Sequence, residues 1–327
     1  MKICIVKLSA MGDIVHAMVA LQFIKQAHPD AHIDWVVEKG FVEVLEGNPH
    51  IDRILPLELK SIKKKWRNLL SQYQLAKAYG AFGYDIVIDA QGLVKSALVA
   101  RAIGAKRIVG FGEDSIREGV ASVLYKEHVH IPYDANTIDR NVAVLCRPLG
   151  LHVKEKEILA KEPFLFFIPC ALPLPPVFYV FVVGSTWESR NYPKEKFLQI
   201  AQGLQVKTLV AWGNEDEYAK ALWLQERCAL IEVLPKGSLN QLKYVIAKAS
   251  LVIGNDTGPT HMAWGFNVPS ITLFGPTPLN RIYLTPLNQA FKSSSHVNHF
   301  KLNKQDFSIG EIDPNAVIRL ALQLTNP

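Results

Sequence analysis

The stretch that decides the fold lies at the start of the chain, where residues 3–13 read ICIVKLSAMGD. Four apolar residues, Ile3–Val6, are typical of a strand that is buried on both faces. A turn containing a glycine follows, and Asp13 stands where the next helix is expected to begin. In open parallel sheets the carboxyl ends of the strands face the ligand crevice. The sequence therefore predicts one edge of a binding site at this turn.

A second turn of this kind lies far along the chain, where residues 254–261 read GNDTGPTH. Apolar strands and amphipathic helices alternate before and after it, which implies parallel sheets covered by helices on both faces. The predicted strands are 3–6, 33–37, 53–56, 84–89, 108–110, 177–183, 208–212, 231–234, 251–254 and 270–274. The predicted helices are 14–28, a short one from 42, 69–79, 93–103, 193–205, 216–228, 239–249, 259–266 and 314–324.

An apolar segment rich in proline divides the two halves. Residues 163–184 are apolar, and the segment is long enough for a membrane span, but five prolines lie inside it. Because proline removes helix donors and clashes with the preceding turn, we interpret the segment as a linker followed by a strand. The sequence predicts two doubly wound domains, 1–165 and 166–327, with a ligand between them. Packing of the terminal helix back on the first domain is left open.

The composition is that of a globular protein, with 49% apolar and 20% charged residues. The four cysteines are scattered and show neither metal-ligand nor disulfide spacing, which favours thiols in a reducing compartment. The first residues are too short an apolar run for a secretory signal.

The net charge of +6 is partly concentrated in one segment, residues 60–67, which holds four lysines and Arg67. Such a cluster suits phosphates, nucleic acid or an anionic membrane. The alternative is a solvated helix face.

Three strand ends in the second half carry residues suited to a nucleoside diphosphate. Thr257 and Gly258 open a helix, where free N–H groups and the helix dipole attract anions, and His261 lies one turn further on. In the loop 184–193, GSTWESRNYP, the hydroxyls of Ser185 and Thr186 and the guanidinium of Arg190 suit phosphate. Glu232, placed at the end of the predicted strand 231–234, suits ribose hydroxyls. The alternatives are a helix cap with a packed histidine, a solvated loop and an exposed charge.

Two common nucleotide motifs are absent from the sequence. There is no GxGxxG after a leading strand and no GxxxxGK[ST]. Both absences argue against a dinucleotide dehydrogenase and a P-loop NTPase.

Together these blocks resemble the heptosyltransferases of lipopolysaccharide core synthesis, glycosyltransferase family 9. Five segments carry the resemblance: 7–13 (KLSAMGD), 34–38 (DWVVE), 89–96 (DAQGLVKS), 232–236 (EVLPK) and 256–261 (DTGPTH). The last segment is similar across the family. The segment 89–96 is more similar to the type I enzymes, which add the first heptose to the Kdo sugars on lipid A.

The resemblance implies an α/β GT-B fold, two Rossmann-like domains with an interdomain cleft, in which the first domain binds the acceptor and the second the donor. It implies an inverting transfer of L-glycero-D-manno-heptose from ADP-heptose to the Kdo region of Kdo2-lipid A, with no metal or other cofactor required. We accordingly expect a monomer without a nucleic-acid partner, cytoplasmic and peripheral on the inner membrane of a Gram-negative bacterium.

Site residues follow from the matching positions. Asp13 is the expected general base. The expected donor residues are Ser185, Thr186, Arg190, Glu232, Asp256, Thr257, Gly258 and His261. The expected acceptor residues are Ser9, Gly12, Lys60, Lys63, Lys64, Arg67, Gln91, Lys95 and Arg117.

The chain departs from the family pattern at three places. Met18–Val19 stands where relatives have a proline, Arg190 replaces a lysine, and Tyr192 replaces a tryptophan. Arginine and lysine coordinate phosphate differently.

Other functions fit the sequence less well. A type II heptosyltransferase and a nucleotide-sugar epimerase are alternatives of similar fold, and a silent two-domain binding protein is a third. The positive charge also suggests a nucleic-acid binder, but aromatic and basic residues are not interleaved and zinc-finger spacing is missing.

Overall fold

The structure, a computed structural model, describes residues 1–59, 68–299 and 301–325. The chain divides into two compact units, Met1–Phe166 and Phe167–Pro327. The sequence placed the boundary between residues 165 and 166.

The first unit is built on a parallel sheet of six strands in the order β3-β2-β1-β4-β5-β6. Its strands are β1 Lys2–Val6, β2 His32–Glu38, β3 Arg53–Leu57, β4 Ile86–Asp89, β5 Arg107–Phe111 and β6 Glu127–Val129. Its helices are α1 Met11–Met18, α2 Ala20–Ala27, α3 Val42–Leu45, α4 Asn68–Tyr79, α5 Val94–Ile103, α6 Thr137–Cys146 and α7 Glu155–Leu159. The strand order reverses between β1 and β4, which places a ligand crevice at their carboxyl ends.

The second unit repeats this plan, with the order β12-β11-β10-β7-β8-β9 and all neighbours parallel. Its strands are β7 Tyr179–Val182, β8 Thr208–Ala211, β9 Ile231–Val233, β10 Leu251–Asn255, β11 Ser270–Phe274 and β12 Asn288–Lys292. Its helices are α8 Lys194–Leu204, α9 Glu215–Gln225, α10 Leu239–Lys248, α11 Gly258–Phe266 and α12 Pro314–Thr325. Here the order reverses between β7 and β10.

Both sheets are covered by helices, as the unbroken apolar strands predict. The side chains of Ile3–Val6 on β1 and of Leu251–Ile253 on β10 are fully buried. The terminal helix α12 packs against α8 of its own unit. A Cβ atom at Gly203 would lie 2.5 Å from Cδ1 of Ile318, so glycine permits this close approach.

Several elements differ from the predictions. The helix predicted over 14–28 is two helices, because a turn at Val19 separates α1 from α2. Helix α1 begins at Met11, so Asp13 lies inside its first turn. Strands β6 and β12 and helices α6 and α7 were not predicted. Both strands lie at sheet edges, where polar residues interrupt the apolar pattern.

The proline-rich segment is irregular, as predicted: residues 161–178 hold neither helix nor strand. Over the described ranges, we find no helix of the length and apolarity that crossing a bilayer requires.

Lys161, just beyond α7, gives a prediction about stability. Its side chain is buried, with Nζ 5.1 Å from the centre of the Phe164 ring, and burial lowers its pKa to about 8. Because the folded chain disfavours the ammonium form, Lys161 lowers the free energy of unfolding below pH 8. This effect disappears as the pH rises to the pKa of an exposed lysine. We expect Lys161→Met to raise the free energy of unfolding by about 2–3 kcal/mol at pH 7.

The measurement is thermal or chemical unfolding at pH 7 and at pH 10. The gain should shrink at the higher pH, where the wild-type lysine loses its proton. Lys156→Met, on the exposed face of α7, is the control and should change stability by less than about 0.5 kcal/mol. An equal gain at both pH values would contradict the interpretation.

Candidate active site

The crossover between β7 and β10 in the second unit brings two predicted loops together. Gly254 of β10 pairs in register with Val182 of β7, so the loop 184–193 and the turn 256–257 begin side by side. A Cβ atom at Gly254 would lie 2.6 Å from Oγ1 of Thr260 and from Cβ of Val182. Glycine is therefore required where this turn packs against its neighbour.

Asp256 is the centre of the site. One terminal nitrogen of Arg190 donates to its carboxylate at 2.8 Å and also to its backbone carbonyl. Nε2 of His261 lies 2.9 Å from Oδ1, and Nε of Arg281 lies 3.5 Å from Oδ2. Burial by itself raises the pKa of Asp256, but Arg281, the hydrogen bond from His261 and Arg190 outweigh it and hold that pKa well below its usual range. Asp256 is therefore ionised at any physiological pH.

The cluster presents cations to the solvent and hides its anion. The side chain of Asp256 is 1% exposed, whereas those of Arg190 and Arg281 are 13% and 27% exposed. The arginines are thus the more exposed members of the cluster, and guanidinium groups bind phosphate oxygens through charge-assisted hydrogen bonds.

This geometry refines the predicted roles of Asp256 and His261. Both are nearly fully buried, and Nε2 of His261 is occupied by the carboxylate. In this arrangement they position the arginines, and direct contact with a donor stays a prediction.

The first turn of α11 adds N–H groups to the site. Thr257 is the N-cap residue of α11. No residue of this helix, all of which the structure describes, donates a capping hydrogen bond to the Thr257 side chain. Gly258 is the first helical residue, and Thr260 donates its hydroxyl to the carbonyl of Asn255 at 2.8 Å. The partly exposed Thr257 hydroxyl and the N-terminal amides suit an anion.

Buried polar atoms surround the same place. The hydroxyls of Ser185, Ser189 and Thr277 and Nδ2 of Asn255 have no hydrogen-bond partner among the described residues. Ser185 and Ser189 follow β7, Asn255 is the last residue of β10 and Thr277 follows β11, and these three strands are neighbours in the sheet. A buried donor without a partner costs about 1–3 kcal/mol. Because phosphate and sugar oxygens accept such hydrogen bonds, the residues present fit a sugar diphosphate.

Two predicted donor residues, Thr186 and Glu232, are not part of the Asp256 cluster. Thr186 is exposed on the loop after β7. Glu232 lies in the middle of β9, at the sheet edge, rather than at a strand end. Its carboxylate is 2.8 Å from Nζ of Lys207, and its side chain is 56% exposed. Ion pairs this exposed contribute about 0–1 kcal/mol, so a ligand can displace Lys207.

An aromatic pocket beside β8 and β9 was missed by the sequence analysis. It has a volume of about 520 Å³, and its walls include Trp212, Tyr218, Pro235 and Lys236. The Trp212 ring lies 4.5 Å from that of Tyr218, and its Nε1 donates to the carbonyl of Leu234 at 2.7 Å. Trp212 is the last residue of the strand predicted over 208–212, and that position was the available signal. The pocket suits a planar base.

In the first unit, Asp13 lies beyond the carboxyl end of β1, as predicted, and the strand order reverses between β1 and β4. It is the third residue of α1, it is partly exposed, and Oδ2 accepts the N–H of Ala10 at 3.3 Å. Gly12 is buried beside it. The helix start therefore orients this partly exposed carboxylate.

Gln91 holds the turn that carries Asp13. Its Oε1 accepts the N–H groups of Leu8 and Ser9, both at 3.0 Å. Ser9 itself is partly exposed. Predicted as an acceptor residue, Gln91 has a positioning role in this structure.

Asp89, nearby, is not suited to the role of base. It is fully buried and accepts hydrogen bonds from Tyr125 and from the backbone N–H of Gln91, both at 2.8 Å. Burial raises its pKa despite these bonds. Asp13 is therefore the better candidate of the two.

The remaining acceptor predictions are only partly placed. Lys95 on α5 and Arg117 are exposed, and Glu118 accepts the N–H of Val94 at 2.9 Å, which brings the two cations to one region. The predicted Lys60, Lys63, Lys64 and Arg67 lie outside the described residues.

Among residues 1–59, 68–299 and 301–325, no three His, Cys, Asp or Glu side chains are grouped as a metal site requires.

Comparison with known proteins agrees with the sequence resemblance. The model of "Glycosyltransferase family 9 (heptosyltransferase)" matches residues 72–308. The chain is 34% identical to lipopolysaccharide heptosyltransferase 1 of Campylobacter coli, over 99% of each chain. It is 32% identical to the protein of that name from Escherichia coli strain K12, over 93% of this chain and 97% of the relative.

Solved structures extend the likeness to three dimensions. E. coli heptosyltransferase WaaC with ADP matches at a TM-score of 0.84 and 27% identity, over 99% of this chain and 100% of that one. WaaC with ADP-2-deoxy-2-fluoro heptose matches at 0.82 over 99% of each. The GT-B fold predicted from the sequence is thereby confirmed.

Proposed function

Because the chain belongs to glycosyltransferase family 9, the heptosyltransferases, we propose that it transfers L-glycero-D-manno-heptose from ADP-heptose to the Kdo region of Kdo2-lipid A. Relatives over nearly the full length are named lipopolysaccharide heptosyltransferase 1. The observation that carries the proposal is the arginine-covered Asp256 at the crossover of the second unit, which suits a diphosphate.

The chemistry asks two things of the protein. The acceptor oxygen forms a bond to the anomeric carbon while the bond from that carbon to the ADP oxygen breaks, so the centre inverts. The acceptor proton needs a base, for which we propose Asp13. The electron pair stays on the departing ADP, and its negative charge is stabilised by Arg190, the hydroxyls after β7 and the amides of α11.

The proposed stabilisation of this charge uses no metal ion, so we expect the transfer activity to survive EDTA.

The nucleoside end of the donor fits β8 and β9. We place the adenine at the pocket of Trp212 and Tyr218 and the ribose hydroxyls on Glu232. Glu232 is able to exchange its exposed partner Lys207 for two hydroxyl donors.

Substitution of Glu232 tests this placement. We expect Glu232→Gln to weaken ADP binding about tenfold, since a charge-assisted hydrogen bond is worth about 1.5–3 kcal/mol. Binding of ADP lacking both ribose hydroxyls should be nearly equal in the variant and the wild type. The measurement is calorimetric titration, with Glu226→Gln, in the exposed pair with Arg227, as the control. Equal losses for both nucleotides would remove Glu232 from ribose binding.

The acceptor proposal rests on the basic residues of the first unit. Lys95 and Arg117, with Ser9 and Gly12 near the base, would meet the Kdo carboxylates and lipid A phosphates. The segment 60–67 would bind the anionic membrane surface, where each lysine or arginine is worth about 1 kcal/mol. We propose a monomer that works at the cytoplasmic face of the inner membrane and binds no nucleic acid.

An assay of ADP release tests the function. ADP-heptose is supplied with Kdo2-lipid A, with heptosylated core, or with no acceptor, and the product is identified by mass spectrometry. We expect release that depends on Kdo2-lipid A and adds one heptose to it. Transfer only to the heptosylated core would indicate a type II enzyme. Conversion of the sugar nucleotide without ADP release would indicate an epimerase.

A further inference from the structure

Arg281 shares Asp256 with Arg190, although no sequence motif marked it. Its Nε lies 3.5 Å from the carboxylate oxygen to which Arg190 donates. Arginine is always charged, so two positive charges face one negative charge. Around Asp256 these contacts place two permanent positive charges, a grouping that suits an anion such as phosphate.

The loop that carries Arg281 is anchored rather than loosely attached. It leaves β11 at Gly275, whose carbonyl accepts a hydrogen bond from Nζ of Lys292 at 2.7 Å. Thr277, on the same loop, has a buried hydroxyl without a partner in the described chain. The loop thus brings a cation and a hydroxyl donor to the same side of the crossover.

The order of strands in the sheet gives each part of a nucleotide sugar a position. Strands β9, β8, β7, β10 and β11 are consecutive neighbours. The base and ribose are placed at β8 and β9, and the arginine and hydroxyls of the loop after β7 and the start of α11 hold the diphosphate. Arg281, after β11, is then at the end of the row farthest from the nucleoside.

We propose that Arg281 binds the phosphate that carries the heptose, and so receives the negative charge that develops when the sugar leaves. This inference rests on the proposed function. The bond between the anomeric carbon and the phosphate oxygen breaks, its electron pair stays on that oxygen, and the acceptor proton goes to Asp13. Arg281 stabilises the product phosphate by charge-assisted hydrogen bonds. The leaving group is then stabilised by residues that follow three strands, β7, β10 and β11.

The test compares two nucleotides that differ by this phosphate. ADP and AMP are titrated calorimetrically into the wild type, Arg281→Gln, Arg281→Lys and the control Arg227→Gln, whose side chain is exposed and paired with its neighbour Glu226. We expect Arg281→Gln to weaken ADP binding at least tenfold and AMP binding less than twofold. Arg281→Lys should recover part of the ADP affinity, and Arg227→Gln should match the wild type.

Two results would overturn the inference. Equal losses for ADP and AMP would show that Arg281 only supports Asp256, and unchanged ADP affinity would show that it does not reach the phosphate. If Arg281→Gln does not fold, the ratio of ADP to AMP affinity in Arg281→Lys decides, with a drop of at least threefold expected. A wild-type protein that fails to bind ADP would instead overturn the proposed function.

Discussion

Asp13→Asn is expected to lower kcat by about 10²–10⁴-fold, the range of a lost general base. The amide keeps the size of the side chain but accepts no proton from the acceptor hydroxyl. The affinity for ADP should stay within twofold of wild type, because the residues proposed to hold the diphosphate belong to the other unit. The measurements are steady-state transfer and calorimetric ADP binding.

The chain offers a matched control for this substitution. Asp139 is likewise the third residue of a helix, α6, and is likewise partly exposed. Both substitutions remove a carboxylate from a helix start, where it is worth about 0.3–1 kcal/mol. Asp139→Asn should retain wild-type turnover. Turnover of Asp13→Asn within threefold of wild type would remove Asp13 as the base.

Asp256→Asn is expected to destabilise the second unit by about 3–5 kcal/mol and to abolish donor binding. The substitution leaves Arg190 and Arg281 around a buried neutral amide, and removal of one partner from a buried charge cluster leaves uncompensated charge. The arginines also lose the group that holds them in place. Hydrogen exchange of α11 and calorimetric ADP binding measure the two effects.

The pH dependence of this effect has a definite sign. The pKa of Asp256 is depressed in the folded chain, so its stabilising effect is fully present above the pKa of an unfolded aspartate, about 4. The effect declines progressively as the pH falls below that value towards the depressed pKa of the folded chain, so the difference in stability between the variant and the wild type should narrow over that range.

Asp313→Asn is the control, since this exposed carboxylate lies 3.9 Å from Arg319 and should contribute less than about 1 kcal/mol. Similar destabilisation by both substitutions would mean that the Asp256 cluster is no more important than a surface pair.

The sequence predicted those parts of the fold that depend on local pattern. Buried parallel strands such as β1 and β10 are continuous apolar runs, and the glycine-containing turns after them have their own signature. Edge strands such as β12, NQAFK, carry no such pattern, because neighbouring elements rather than composition decide their pairing.

The site shows the same limit. Arg190 was found because it lies in a loop directly after a strand, but its pairing with Asp256, 66 residues away, is a tertiary contact. Arg281 had no local signal at all. Glu232 was placed at a strand end, whereas register with Leu209 puts it in the middle of β9.

The close packing at Gly254 has a consequence for inhibitors. Because Thr260 and Val182 leave no room around this glycine, the turn that carries Asp256 has little freedom to reshape when a nucleotide binds. In a preorganised site, ordering of the protein on binding costs little of the binding free energy. Rigid mimics of a diphosphate should therefore lose less affinity here than flexible ones, and their selectivity must come from groups that reach beyond the anion.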